Sequence, residues 1–462
     1  MTKKSTLFKN EKLLKVFIKN VLHNMNPEIE YIKDKLYLKN LYSYPDAFSR
    51  TGFKYGDITL KEKVFFYLLE FHNNPNSSMI IDTINKTLNE QNKHNFKSIL
   101  LIFGISEETI RKEFNKIENN EKIYIISKTI EQWVDEYPVA YLESQPLDRL
   151  FNHQQIDKMC MKDFFNNNKM TIKSLNMDIK KGNLSIALGA GISYDFGAPS
   201  WKDLIKSFEE DETFISTRVS DNLKKMIGST ELIHAQLYKN ILNDDKYFSR
   251  IYSKLYGKYS SESILKDKTI YYVASLINRY STNNNLKIIS YNYDNFLEQY
   301  LDKYFKGQPN FEVIYDETGI TETSIPIYHV HGFLPFTNDS ILKGNHHKID
   351  SKYKDSIKLT EDNYYYLYNN PYSWQIVTQL EIFRNSTCLF IGCSLTDPNI
   401  RRLLKLASNS KKYHYAIMAS KGLKVFDLIV IGKHFQSMGV KIIWISDHEN
   451  KNYEEILDII YK

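Results

Sequence analysis

Four short clusters of residues carry the chemistry this sequence could perform. The first is Gly189-Ala190-Gly191 with Ser193, set in LSIALGAGISYDFGAPSW over residues 184–201. Glycines of this kind let a backbone approach a pyrophosphate closely, and a following helix adds free N–H groups and its dipole. A tight strand-to-helix turn with no ligand uses the same residues. The second cluster is Ser290-Tyr291-Asn292-Tyr293-Asp294. Asn292 and Asp294 offer paired donors and acceptors that can grip ribose hydroxyls or orient a water, while Asp294 is equally suited to cap the next helix. The third is His329-Val330-His331-Gly332. Imidazole titrates near neutrality, so His331 suits a general base, and Gly332 leaves room for a substrate. Two His at i and i+2 on a strand share a face and could form a metal pair, but no third ligand is legible nearby and no metal is expected. The fourth is Gly392-Cys393-Ser394-Leu395, a second glycine turn, followed by Asp397-Pro398 in position to cap a helix.

Each cluster follows an apolar run of strand length. Residues 184–188, 286–290, 311–314, 325–330, 387–391, 413–418 and 440–445 read as strands. Between and around them, residues 172–180, 264–280, 294–304, 361–383, 398–407, 424–435 and 453–461 have helical periodicity. This alternation predicts an α/β fold, a Rossmann-like, mostly parallel sheet covered on both faces, with the four clusters at the carboxyl ends of its strands. Residues 206–263 are charged and helical without a strand, an insertion where a lid could sit. The first 165 residues read as an all-α N-terminal domain. Leu13, Leu14, Phe17, Ile18, Val21 and Leu22 repeat at helical spacing, and 60–71, 79–88, 96–103 and 107–117 are read the same way. The polar triplet Asn166-Asn167-Asn168 marks a break, giving a helical regulatory or partner-binding domain over 1–165 and a catalytic domain over 166–462.

Composition narrows the setting. A chain of 462 residues accommodates two or three domains. There is no run of about 18 apolar residues and no secretory leader pattern, so a cytoplasmic protein without a membrane span is expected. A net charge of +6 is mild for this size and does not indicate nucleic acid. Arg401-Arg402 and Lys411-Lys412 read as solvated faces. The three cysteines, Cys160, Cys388 and Cys393, form no C-x-x-C pair, so neither a zinc site nor a disulfide framework is indicated. Cys388 and Cys393 read as small core residues.

Taken in order, the four clusters resemble the sirtuin family. Gly189, Ala190, Gly191, Ser193, Gly197 and Pro199 match its Gly-Ala-Gly-x-Ser and Gly-x-Pro turns. Asn292 and Asp294 match its Asn-x-Asp motif, with Ser290 and Tyr291 in place of Thr and Gln. His331-Gly332 match its catalytic His-Gly, and Gly392, Ser394 and Leu395 its Gly-Thr-Ser-Leu. The resemblance covers residues 170 to 462 and implies NAD as substrate. The four-cysteine zinc ribbon of protein-deacylating sirtuins is missing, because no cysteine lies between Cys160 and Cys388. Gly-x-Pro-Ser-Trp, Asn-Tyr-Asp and Ile-Gly-x-Ser-Leu-x-Asp-Pro are similar to the divergent bacterial sirtuin-like branch, to which the family assigns NAD hydrolysis during antiphage defence. In Thoeris-type effectors of that branch the sirtuin-like domain comes first; here it comes second.

The resemblance implies roles for the matched residues. Asn292 fixes a water or the ribose, and His331 accepts a proton. Gly189, Ala190, Gly191 and Ser193 hold the pyrophosphate, and Trp201 takes the place of the aromatic beside nicotinamide. Asp294 and Ser394 contact the ribose, with Gly392 in the second turn, while Asp195 could simply bond its own turn. Lysine deacylation, disfavoured by the missing zinc module, and a sensor that binds NAD or an ADP-ribose derivative without turnover stand as alternatives. An unregulated NAD hydrolase would kill its host, so an off state is expected, through the N-terminal region, a homo-oligomer or a regulatory partner.

Overall fold

The fold is that of a computed structural model, which describes residues 11–25, 29–31, 47–49, 53–60, 64–69, 98–103, 108, 123–137, 140–141, 144, 161–181, 183–210, 226–228, 230–257, 259, 264–266, 268–281, 285–305, 310–317, 324–336, 349–408 and 412–461. The chain divides into two compact units, residues 1–174 with 424–433, and residues 175–423 with 434–462.

The first unit begins with α1 (Glu11–Met25), which buries Leu14, Phe17, Ile18, Val21 and Leu22 along one helical face, as their spacing predicts. The unit is not all-α. It contains β1 (Glu30–Tyr31), β2 (Ala47–Ser49), β3 (Phe53–Tyr55), β4 (Ile58–Leu60), β5 (Val64–Leu69), β6 (Ser98–Phe103) and β7 (Ile123–Ser127). Five of these form a sheet in the order β1-β2-β5-β6-β7, in which β5, β6 and β7 run parallel, while β3 and β4 make a separate antiparallel pair. The segments read as helical at 60–71 and 96–103 therefore hold strands. VFFYLL and SILLIF are apolar at almost every position, so they satisfy a period of 3.6 and a period of 2 alike. Their short length and aromatic and β-branched content favour the strand. The runs at 79–88 and 107–117 lie outside the described residues, Glu108 apart.

Asn166-Asn167-Asn168 lies inside a helix, α2 (Met161–Lys181), and not in a break. Ile172, Leu175 and Ile179 bury one face of α2, and packing of that kind outweighs the weak helix propensity of asparagine.

The second unit is built on seven strands, all parallel. They are β8 (Asn183–Leu188), β9 (Lys287–Ser290), β10 (Phe311–Ile314), β11 (Ile325–His329), β12 (Ser386–Ile391), β13 (His414–Ala419) and β14 (Val440–Ile445), in the order β10-β11-β9-β8-β12-β13-β14. All seven coincide with apolar runs of the sequence. β8 and β12 are buried from Leu184 and Ser386 onward, as expected of strands covered on both faces. From β8 the chain moves to β9 on one side, and β12 returns on the other side of β8. Right-handed crossovers running in opposite directions along a sheet lie on opposite faces. Accordingly α3 (Thr269–Tyr280) packs on α4 (Phe296–Tyr304) and on the terminal α5 (Asn450–Tyr461), while the helices Trp374–Asn385 and Pro398–Ala407 pack on each other. The expected helix over 361–383 is two, Glu361–Asn369 and Trp374–Asn385, because Pro371 cannot continue the first.

Crossovers that diverge from β8 and β12 leave a crevice at the carboxyl ends of these neighbouring strands. All four sequence clusters open onto this edge.

Candidate functional site

The crevice floor consists of two glycine turns locked together. After β8, Gly189 N–H donates to Ile391 O and Gly191 N–H to Gly392 O, both at 3.0 Å, and Ile192 N–H returns to Gly189 O at 3.2 Å. A Cβ on Gly189 would stand 2.6 Å from Gly392 O, and one on Gly191 would stand 2.8 Å from Gly392 Cα. The glycines are thus demanded by the neighbouring turn, where the sequence suggested the approach of a phosphate, and the amides of Gly189, Gly191 and Ile192 are already bonded. Gly332 is corrected in the same way. Its φ is +108°, and a Cβ there would meet Ile357 Cα and Ser356 O at 2.6 Å, so backbone fills the room expected for a substrate.

Residues 190–196 form a 3-10 turn that buries Ser193 completely. The Ser193 hydroxyl donates to Asp294 Oδ2 at 3.0 Å and accepts from Asn292 Nδ2 at 3.1 Å. Since the single hydroxyl proton goes to the carboxylate, Asn292 must present its NH2 to Ser193, which leaves Oδ1 pointing elsewhere. That oxygen is buried and has no hydrogen-bond partner. Asp294 is not the cap expected of it: the next helix is capped by Asn295, and Asp294 precedes that cap, its Oδ1 accepting from Phe296 N at 3.3 Å. Burial lifts its carboxyl to about 6 in spite of the two donors, with Glu298 adding to the rise.

The two histidines of β11 and its turn have different surroundings. His329 Nδ1 lies 2.9 Å from Asn292 O and Nε2 lies 2.8 Å from Glu298 Oε1, so both ring nitrogens are engaged. His331 is buried against Tyr291, with ring centres 5.1 Å apart, and its Nε2 has no hydrogen-bond partner. The nearest opposite charge is Asp397 Oδ2 at 3.7 Å. Burial pushes the His331 imidazole below its usual range, and Asp397 only partly offsets this, so the ring is neutral near pH 7. Among the described residues, no group of three His, Cys, Asp or Glu side chains converges as a metal set.

Trp201 opens the short helix Trp201–Ser207 and stacks on Tyr364, with ring centres 6.4 Å apart and planes 9° from parallel. Tyr364 in turn donates to Asp397 and faces His331, its ring 6.1 Å away. The structure therefore joins Trp201 to the histidine through one intervening ring. Ser394 is exposed and its hydroxyl pairs with Thr396 at 2.7 Å in a local turn. Asp195 bonds Thr269 N at 3.0 Å, capping α3 and not its own turn.

Three contributors escaped the sequence. Glu298 carries no motif; only its place on α4, four residues beyond Asp294, puts it under His329. Asp397 caps Pro398–Ala407 as its type predicts, but its second oxygen also serves His331 and Tyr364. Tyr256, at the end of the insertion helix Asp244–Tyr256, donates to Leu334 O at 2.7 Å and accepts from Asn295 N at 3.1 Å, tying that helix to the loops after β9 and β11. A cleft of about 480 Å³, with Trp374, Gln375 and Lys358 among its walls, adjoins this region but does not include Asn292 or His331. Lys358 N–H donates to His331 O at 2.7 Å.

The SIR2-like domain family matches residues 286–443, the stretch from β9 into β14 that carries Asn292, Asp294, His331, Asp397 and the Gly392 turn. Over that stretch the chain is similar to a SIR2-like domain. β8 and its glycine turn precede the matched residues, yet β8 lies at the centre of the domain's sheet, between β9 and β12. The curated protein "NAD(+) hydrolase ThsA" of Enterococcus faecium is 26% identical over 259 residues, covering 54% of this chain and 46% of that protein. This chain thus spans less than half the length of that relative. A solved chain titled "Structural Basis for the Mechanism and Regulation of Sir2 Enzymes" aligns over 63% of this chain and 97% of its own, at 12% identity and a TM-score of 0.31. The DeoR-like helix-turn-helix domain family matches residues 81–126. The described residues of that span include β6 and most of β7, which pair parallel, an arrangement foreign to a helix-turn-helix. No helix among the described residues is long and apolar enough to cross a membrane.

Proposed function

We propose that the chain is an NAD glycohydrolase, converting NAD and water to nicotinamide, ADP-ribose and a proton. One observation carries this. Two buried polar atoms without a hydrogen-bond partner among the described residues, Asn292 Oδ1 and His331 Nε2, sit just past the ends of adjacent strands of a SIR2-like crevice. An unpaired buried acceptor costs about 1–3 kcal/mol, so native sites keep such atoms for a ligand or a chemical step. Departure of nicotinamide leaves an oxocarbenium-like ribosyl carbon. Asn292 Oδ1 orients the attacking water, the oxygen bonds to that carbon, and neutral His331 takes the released proton. Asp397 then faces the imidazolium. Ser193 and Asp294 keep the Asn292 amide turned so that Oδ1 stays free, and Asp294 is the group assigned to ribose. Gly189, Ala190 and Gly191 form the crevice floor with Gly392, where the pyrophosphate is assigned; Ser394 is assigned to the ribose beside Asp294, and Trp201 is the aromatic wall.

The name of the E. faecium relative supports NAD as substrate, and the resemblance to the bacterial sirtuin-like branch is the ground for proposing a role in antiphage NAD depletion. Control by residues 1–165, by self-assembly or by a regulatory partner, in the cytoplasm, belongs to the same proposal. Purified protein incubated with NAD, alone and with phage lysate, tests it, with gel filtration of both samples. Wild-type protein is expected to release nicotinamide, and Asn292→Ala and His331→Ala to lose about 10²-fold or more in rate. Tight NAD binding without turnover in every condition would sink the hydrolase and leave a sensor.

A further inference from the structure

We infer that Glu298 and His329 are a positioning pair that sets where Asn292 stands, an inference that takes the catalytic role of Asn292 from the proposed function. Both side chains are buried, with 6% and 1% of their surface exposed, and neither touches the crevice through a free donor. A carbonyl oxygen only accepts, so the contact from His329 to Asn292 O requires the proton on Nδ1. The other nitrogen shares one proton with Glu298 Oε1, whichever of the two holds it. A proton is thereby held on Nδ1, and Phe333, 4.5 Å away ring to ring, fixes the plane.

Asn292 is consequently held from two sides, at its main-chain oxygen by His329 and at its amide by Ser193. A buried acid–imidazole pair adds little net stability over an apolar pair of the same size. What it supplies is geometry. His329 ends β11 two residues before His331, so the same bond fixes the end of β9 against the strand that carries the proton acceptor. Among the described residues, Glu298 Oε2 has no hydrogen-bond partner, which leaves the bond from Oε1 to His329 as the polar tie of that carboxyl.

Three variants separate positioning from mere packing. His329→Asn keeps a donor where Nδ1 stands and gives up Glu298. His329→Gln reaches toward Glu298 but has no nitrogen at the δ position. Glu298→Gln keeps the shape of the carboxylate without its charge. For each, NAD turnover, melting temperature and deuterium uptake over residues 290–295 are measured on the full chain. His329→Gln is expected to lose about 100-fold in kcat with KM within about threefold, and to exchange faster over 290–295. His329→Asn is expected to stay within about tenfold of wild type, with Glu298→Gln between them. Equal kcat and equal exchange in the two His329 variants, both tracking melting temperature, would overturn the inference. If wild-type protein does not cleave NAD, the proposed activity fails, and the exchange comparison decides the positioning pair by itself: unchanged protection in His329→Gln rejects it.

Discussion

Asp294→Asn isolates the electrostatic cost of the Ser193–Asn292–Asp294 triangle. Burial raises the Asp294 carboxyl from 3.8 to about 6, so the folded chain binds this proton more tightly than the unfolded chain does. Its contribution is therefore most favourable at low pH and is lost as pH rises through about 6. At about 1.4 kcal/mol per pKa unit, the ionised carboxylate costs about 3 kcal/mol above pH 7 and about half of that at pH 5. Asparagine carries no charge and sheds this cost. It offers one oxygen to two donors, Ser193 Oγ and Phe296 N, and so gives back about 1 kcal/mol. The variant should be about 2 kcal/mol more stable than wild type at pH 8, a melting difference of roughly 4–8 °C, with near parity at pH 5. Scanning calorimetry of both proteins at the two pH values reads this directly. The same difference at pH 5 and pH 8, or a less stable variant at pH 8, refutes the buried-carboxylate account.

Two further predictions follow from the turns and from His331. Gly392→Ala should cost more than about 3 kcal/mol, because φ is +67° and the new Cβ would stand 2.6 Å from Ile192 N. Gly422→Ala, at φ +81° with nothing within 4 Å, should cost only about 1–2 kcal/mol; urea unfolding of the pair distinguishes steric interlock from backbone strain. NAD turnover should fall on the acid side with a midpoint below 6.5, since burial depresses the His331 pKa. Asp397→Asn should move that limb to still lower pH, because Asp397 is the charge that raises it. A pH–rate profile in which the limb stays put or moves up contradicts the pairing.

The seven strands of the SIR2-like unit were legible because each is a short apolar run bounded by turn residues, and burial on both faces makes such runs continuous. The same property misled in the first unit. VFFYLL and SILLIF have no polar position to break the tie between helix and strand, and pairing with neighbours decides it. Of the candidate site residues, Ser193, Asn292 and Asp294 are joined by hydrogen bonds and His331 follows the adjacent strand, a grouping their positions just after strands made legible.

The glycine clusters show most plainly where local reading ends. That Gly189, Gly191 and Gly392 must lack a side chain is evident from the sequence, but the reason is not. Phosphate approach and interlocked turns demand the same residue, and only the packing of β8 beside β12 shows that each glycine faces another turn's backbone. His329 and His331 differ likewise. Residue type and spacing put both on one face of a strand, and the adjoining Gly332 favoured His331 as the base. Glu298, 31 residues before His329, occupies one ring nitrogen of the first, while nothing bonds Nε2 of the second. Residue type and strand order thus determined which groups could act at this edge. The tertiary structure decided which of them is left free to act, because hydrogen-bonding capacity is spent across the sheet, between residues far apart in the chain.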